Sequence, residues 1–192
     1  MFKDQSFKQN LLGVFEISLF MKAGVERFSV SLHDVFRSFF WPLLAFPLAL
    51  MATVVLSDGG YSPWFLFVAH GLRIVVVYAL SLLLVFFFCK KVNRLEFLYQ
   101  YIIVQNWFEI ALLALIAPIF ILMGMGAPLE QFESYAIFIT LLSYVYSGFI
   151  LTHALRIPWE MGGFIAVSFL FIDQTGFDVI EFVRDTFVHT AI

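Results

Sequence analysis

Residues 64–89 read WFLFVAHGLRIVVVYALSLLLVFFFC, and Arg73 is the one formally charged residue among them. A helix rises about 1.5 Å per residue, so this run outlasts the roughly 30 Å hydrocarbon core of a bilayer. In lipid such a segment must satisfy its own backbone polar groups, which a single continuous helix does. The run does not alternate, as the strands of a membrane β-barrel must. Similar stretches recur along the chain: 62% of its 192 residues are hydrophobic, 13% are charged, and the mean hydropathy is +0.95. Ordinary globular domains carry roughly 25% charged residues. The fold class is therefore all-α, a polytopic transmembrane helix bundle forming one membrane domain over residues 1–192.

Four clear spans are expected, at about 38–56, 64–89, 96–123 and 135–157. A fifth apolar run, 159–172, is short for a crossing. Either it continues past Asp173 to about residue 183, or it is tilted or re-entrant and leads into a surface helix. Asp178, Glu181 and Asp185 would share one face of that surface helix, with Phe177, Ile180, Phe187 and Val188 largely on the other. Pro42 and Pro47 should bend or locally open the first span, because each removes an intrahelical hydrogen bond.

The first 36 residues form a lead-in to the spans. Phe7, Leu11, Leu12, Phe15, Leu19 and Phe20 recur at roughly helical spacing between Lys8, Glu16 and Lys22, which predicts an amphipathic interfacial helix. Ser31 is placed to N-cap the helix entering span one, with Asp34 in its favourable first turn. No A-x-A-like site follows a short apolar run near the start, so no cleaved signal peptide is expected.

Charge placement sets the expected orientation. Lys3, Lys8, Lys22, Arg27 and Arg37 precede span one; Lys90, Lys91 and Arg94 join spans two and three; Arg156 follows span four. Loops 57–63 and 124–134 contain no Lys or Arg and carry Asp58, Glu130 and Glu133. A cytoplasmic N-terminus follows from the positive-inside rule, and a bacterial inner membrane is a natural setting. The net charge of -3 is distributed over segment ends, without the basic, aromatic-interleaved patch that nucleic acid would require.

Span three begins YQYIIVQNWFEI, which places Glu109 near mid-membrane. An unpaired acid there costs about 2.5–3.5 kcal/mol on insertion scales. Arg73 lies at a matching depth in span two, and the short 91–95 connection suggests adjacent helices, so an Arg73–Glu109 ion pair is expected. Such a pair fixes helix register more than it adds net stability. His70 shares a face with Arg73, and Gln105 and Asn106 lie one turn before Glu109. Together these five residues are the candidate intramembrane polar patch, either a structural tie or a proton or substrate path. Ser143, Tyr144, Tyr146 and Ser147 in span four are the remaining hydroxyls, with Gly148 suited to helix packing.

Enzyme signatures are lacking: no HExxH, GxSxG or Walker-type loop occurs. His33, His70, His153 and His189 fall on separate segments, so no metal is expected, and no cofactor. Cys89, the single cysteine, excludes an intramolecular disulfide and sits at a membrane boundary, either as a small helix-end residue or as a lipidation point. Trp41, Trp64 and Trp159 fall near span ends, as interfacial tryptophans do, whereas Trp107 does not; the 26 phenylalanines suit lipid contact. No internal repeat supports an inverted-repeat transporter.

This layout, from roughly Gly24 to Ile172, resembles the Yip-type family of small membrane proteins and its bacterial relatives, with a cytoplasmic N-terminal segment and five closely spaced helices. The eukaryotic members' DLYGP-type motif has no counterpart, the nearest loop being DGGYSP at 58–63, so no residue roles are carried over. The resemblance implies a non-enzymatic protein that interacts with other membrane proteins. The sequence thus supports a non-enzymatic accessory or scaffold component whose partners are the lipid bilayer and membrane proteins or further copies of itself. The alternative is a small transporter or channel subunit built on Arg73 and Glu109.

Overall fold

The computed structural model describes residues 7–56, 63–125 and 128–188, and among these every regular element is helical. In chain order the α-helices are α1 (Phe7–Ser18), α2 (Lys22–Glu26), α3 (Leu32–Ser38), α4 (Phe40–Leu56), α5 (Pro63–Lys91), α6 (Leu98–Gly124), α7 (Glu133–Ala154) and α8 (Trp159–Val188). Short 3₁₀ turns precede α6 and α7. Five segments are long and apolar enough to cross a membrane: Leu32–Met51, Trp64–Lys91, Leu95–Ile119, Ser134–Ala154 and Trp159–Val183. Residues 57–62, with Asp58, and His189 lie outside the described residues.

The fifth segment is one continuous helix of 30 residues, long and apolar enough over Trp159–Val183 to cross a membrane, and 159–172 is only its first half. Asp173 interrupts its hydropathy without interrupting its backbone. The first span starts earlier than expected, at Leu32, because α3 leads directly into α4. Ser31 caps α3 as its spacing suggests: its Oγ accepts from the Asp34 N–H at 3.1 Å. The α3–α4 break falls at Ser38 and Phe39, where Pro42 offers no N–H to the Ser38 carbonyl and its ring crowds it. Pro47 and Pro118 are held within α4 and α6. Next to the carbonyl that Pro118 leaves unbonded, the Leu115 carbonyl accepts a 2.9 Å bond from the Tyr135 hydroxyl.

One end of the bundle, called here the near end, carries α1–α3 and both tight turns. Its core joins Val14, Ile17, Val25 and Phe28 to Val85 and Cys89 of α5, Tyr101 to Phe108 of α6, Ile150 to Ala154 of α7, and Ile165 to Phe169 of α8. Cys89 is fully buried there, which leaves its thiol unavailable for lipidation. Helices α1, α5 and α7 close in the same way, with a left-handed residue at the second position past the helix: Phe20, Asn93 and Arg156 at φ 56°, 57° and 54°. In each case the next N–H bonds back five residues, Met21 to Glu16, Arg94 to Cys89 and Ile157 to Thr152. Asparagine tolerates this conformation, whereas phenylalanine and arginine are strained in it.

The N-terminal lead-in is docked as well as amphipathic. α1 and α2 form a hairpin on α6 and α7, clamped by Arg27, whose Nε and Nη2 each donate to Glu16 at 2.6 Å. That bond holds the Glu16 carboxyl below its ordinary value and raises Arg27. Gly24 makes the crossing possible, since a Cβ there would lie 2.6 Å from the Gly13 carbonyl oxygen. Leu11, Leu12, Phe15 and Leu19 remain exposed, where lipid would meet them, whereas Phe7 packs on Trp41 and Trp107 and Phe20 stacks on Tyr146. The apolar face seen in the sequence is therefore shared between lipid and the bundle.

Candidate functional site

The polar groups inside the spans separate into two clusters, and the expected Arg73–Glu109 pair is not among their contacts. Arg73 of α5 instead forms an ion pair with Asp173 of α8 through Nη1. Tyr144 of α7 donates to the other Asp173 oxygen at 3.2 Å. The guanidinium also lies 3.6 Å from the centroid of the Phe177 ring, and its stem covers Gly176, where a Cβ would approach Arg73 Cγ to 3.0 Å. The Arg73 side chain is 8% exposed and that of Asp173 30%. His70, 4% exposed, packs against the same Phe177 ring in a tilted contact with centroids 5.9 Å apart, and its Nδ1 is unpartnered. Counted along the helices at about 1.5 Å per residue, Arg73, Tyr144 and Asp173 sit at similar depth, about 15 to 22 Å from the far ends.

The second cluster is neutral and lies nearer the near end. The Tyr78 hydroxyl donates to Asn106 Oδ1 at 2.6 Å, Asn106 Nδ2 donates to Ser38 Oγ at 2.9 Å, and Ser38 donates to the Val35 carbonyl at 2.7 Å. This chain ties α5, α6 and the α3–α4 break together. Gln100, one turn and a half earlier on α6, donates to the Val25 and Phe28 carbonyls at 3.0 and 3.4 Å, and Tyr146 donates to the Ser18 carbonyl at 2.8 Å. These bonds satisfy backbone oxygens at the ends of the N-terminal hairpin.

The patch of five expected residues is thus divided. His70 and Arg73 belong to the α5–α8 cluster, and Asn106 to the α5–α6–α3 chain. Gln105 is half-buried with its Oε1 unpartnered. Glu109 is half-buried on α6, and no Lys, Arg or His among the described residues forms a salt bridge with it. Helical phase explains the separation: Tyr78 is five residues after Arg73, so at about 100° per residue the two point about 140° apart. Tyr78 faces α6, which turns Arg73 towards α8. Asp173, Tyr78, Ser38 and Gln100 were missed as site residues. For Asp173 the signal was present, because a helix continued to residue 183 places it at the depth of Arg73.

Two open cavities flank α8, one of about 360 Å³ against α5 and one of about 470 Å³ against α7, both lined chiefly by apolar side chains. Among the described residues no three His, Cys, Asp or Glu gather as a metal site. No family model, curated protein or solved structure matches the chain.

Proposed function

We propose that this chain is a non-enzymatic membrane protein that acts as an accessory or scaffold component for other membrane proteins, in the manner the Yip-type resemblance implies. The observation that carries this reading is the pairing of its intramembrane polar groups with one another across helices, in Arg73–Asp173–Tyr144 and in Tyr78–Asn106–Ser38. Groups arranged in this way set helix register. In the proposed orientation the near end is cytoplasmic in a bacterial-type inner membrane. Lys90, Lys91, Arg94 and Arg156 all fall on its turns, in keeping with the positive-inside rule. A cysteine placed at Asn93 in a Cys89→Ala background should then react with an impermeant maleimide only after the cells are opened.

The functional test pairs two measurements. A photo-crosslinking residue at Leu83, on the exposed face of α5, should yield a discrete protein adduct in native membranes. Liposomes containing the purified chain should pass protons no faster than protein-free liposomes. Crosslinking to lipid alone, together with flux abolished by Glu109→Gln, would overturn the scaffold reading in favour of a carrier. Glu109 is what favours that second reading, being a half-buried intramembrane carboxylate with no cationic partner among the described residues.

A further inference from the structure

Two arginines from separate turns converge at the near end. Arg94, after α5, and Arg156, after α7, both lie over the Phe97 ring, at 5.7 and 4.4 Å from its centroid. Bringing two guanidiniums to one ring concentrates positive charge, and no carboxylate among the described residues is within ion-pair distance of either. Glu96 and Glu160 are close in sequence and exposed, and neither forms an ion pair with either arginine. Arg156 is also one of the strained left-handed residues, a position for which glycine is the usual choice. Lys90 and Lys91, both exposed, add to the field from the same turn.

An apolar groove opens at the same α7–α8 connection that carries Arg156. The α7–α8 cavity of about 470 Å³ is lined at its near-end mouth by His153 and Trp159, the residues three before and three after Arg156. It continues past Gly148 and Gly163 to Leu141, twelve residues from His153 and so about 18 Å along α7. That is close to the length of an extended lipid acyl chain. At Gly163 a Cβ would meet nothing within 4 Å, so the groove has open space at its midpoint.

We propose that the near end binds one anionic phospholipid, with its phosphate held by Arg94 and Arg156 and one acyl chain lying in the α7–α8 groove. Paired guanidiniums suit phosphate oxygens, and basic sites at helix turns recognise anionic headgroups. The adjoining groove favours a lipid over a free phosphate, because only the lipid fills both parts of the site.

The test is native mass spectrometry of the purified full chain in mild detergent, titrated separately with dioleoylphosphatidylglycerol, dioleoylphosphatidylcholine and inorganic phosphate. One phosphatidylglycerol should bind at least about tenfold more tightly than either alternative. Arg94→Gln with Arg156→Gln should weaken it by about tenfold or more, whereas Lys90→Gln with Lys91→Gln, which removes the same charge, should cost less than about threefold. Gly163→Phe, which fills the groove from a position with room for a side chain, should also weaken phosphatidylglycerol by about tenfold. It remains informative if the arginine variant fails to fold. Wild-type lipid affinity in the arginine variant or in Gly163→Phe, equal loss in the lysine variant, or inorganic phosphate binding as tightly as the lipid would each overturn the proposal.

Discussion

The two halves of the bundle are held together by different forces. At the near end, Ile17, Val85, Cys89, Val104, Ile150, Leu151 and Leu155 are fully buried, and the helices meet with the closeness of a soluble core. Towards the far end, Leu72 and Val76 of α5, Ile121 of α6, Ile137 of α7 and Val179 of α8 are exposed to the surroundings. Lipid gives no hydrophobic drive to helix association, so close packing, interhelix hydrogen bonds and ion pairs must provide it. The near end has most of the large buried side chains and adds neutral polar bonds and the Arg27–Glu16 clamp; the far half has a thinner core, including Leu50, Leu66 and Ile139, and an ion pair between α5 and α8. Within the spans, the ion pair is thus placed where packing is thinner.

If close packing governs the near end, the largest loss should come from preventing it. Gly24→Val puts a branched side chain where Cβ already lies 2.6 Å from the Gly13 carbonyl oxygen and 2.8 Å from the Ile17 nitrogen, both backbone atoms. The α1–α2 crossing should open at a cost of about 3 kcal/mol or more, read as a large fall in thermal stability in mild detergent. A wild-type melting temperature would mean that the hairpin adds little, and the contrast between the halves would fail.

The far half should break through its ion pair. Arg73→Met strands Asp173 inside the bilayer, and Asp173→Leu strands Arg73; each should cost about 2–4 kcal/mol. The double variant should recover more than half of the summed loss. Combining Arg73→Met with Glu109→Gln should instead give additive effects, because those two side chains share no partner. A strong Arg73–Glu109 coupling would show that the two halves are linked through α6 after all.

Smaller effects should follow in the neutral chain. Asn106→Val removes the partners of both the Tyr78 hydroxyl and Ser38 Oγ, at about 1–2 kcal/mol, and Tyr78→Phe should cost about 0.5–1 kcal/mol. If these losses exceed those at Arg73, polar bonding rather than packing dominates the near end too.

How far these features can be read from the sequence depends on what each requires. The spans are legible because crossing a bilayer needs a long apolar run, and the Ser31 cap because it is local. That Arg73 needs an acid was equally legible. Which acid was not: Glu109 and Asp173 both lie at a workable depth, and the short 92–94 connection joins α5 to α6 only at their ends. The choice rests on the rotation of α5, which Tyr78 fixes by bonding Asn106. The docking of α1 was hidden for a related reason, since beside Val14 and Ile17 it depends on the close approach of Gly13 to Gly24 of α2, whose contribution is the absence of a side chain.

The smallest expected effect concerns acid. The bidentate bond from Arg27 lowers the folded-state value of Glu16 below its ordinary 4.5. A carboxylate depressed by folding contributes stability above its unfolded value and loses that contribution as pH falls through the folded one. The clamp should therefore be intact at neutral pH and weaken progressively once pH drops below about 4.5. Hydrogen exchange of the α1 and α2 amides should accelerate over that window relative to α6, after correction for the intrinsic pH dependence of exchange. Glu16→Gln should remove the pH response by leaving the hairpin at its acid-state protection throughout. If α1 protection in the wild type is flat between pH 7 and 3.5, the Gly13–Gly24 crossing alone holds the hairpin. Packing would then be sufficient at the near end even where a charge pair is present.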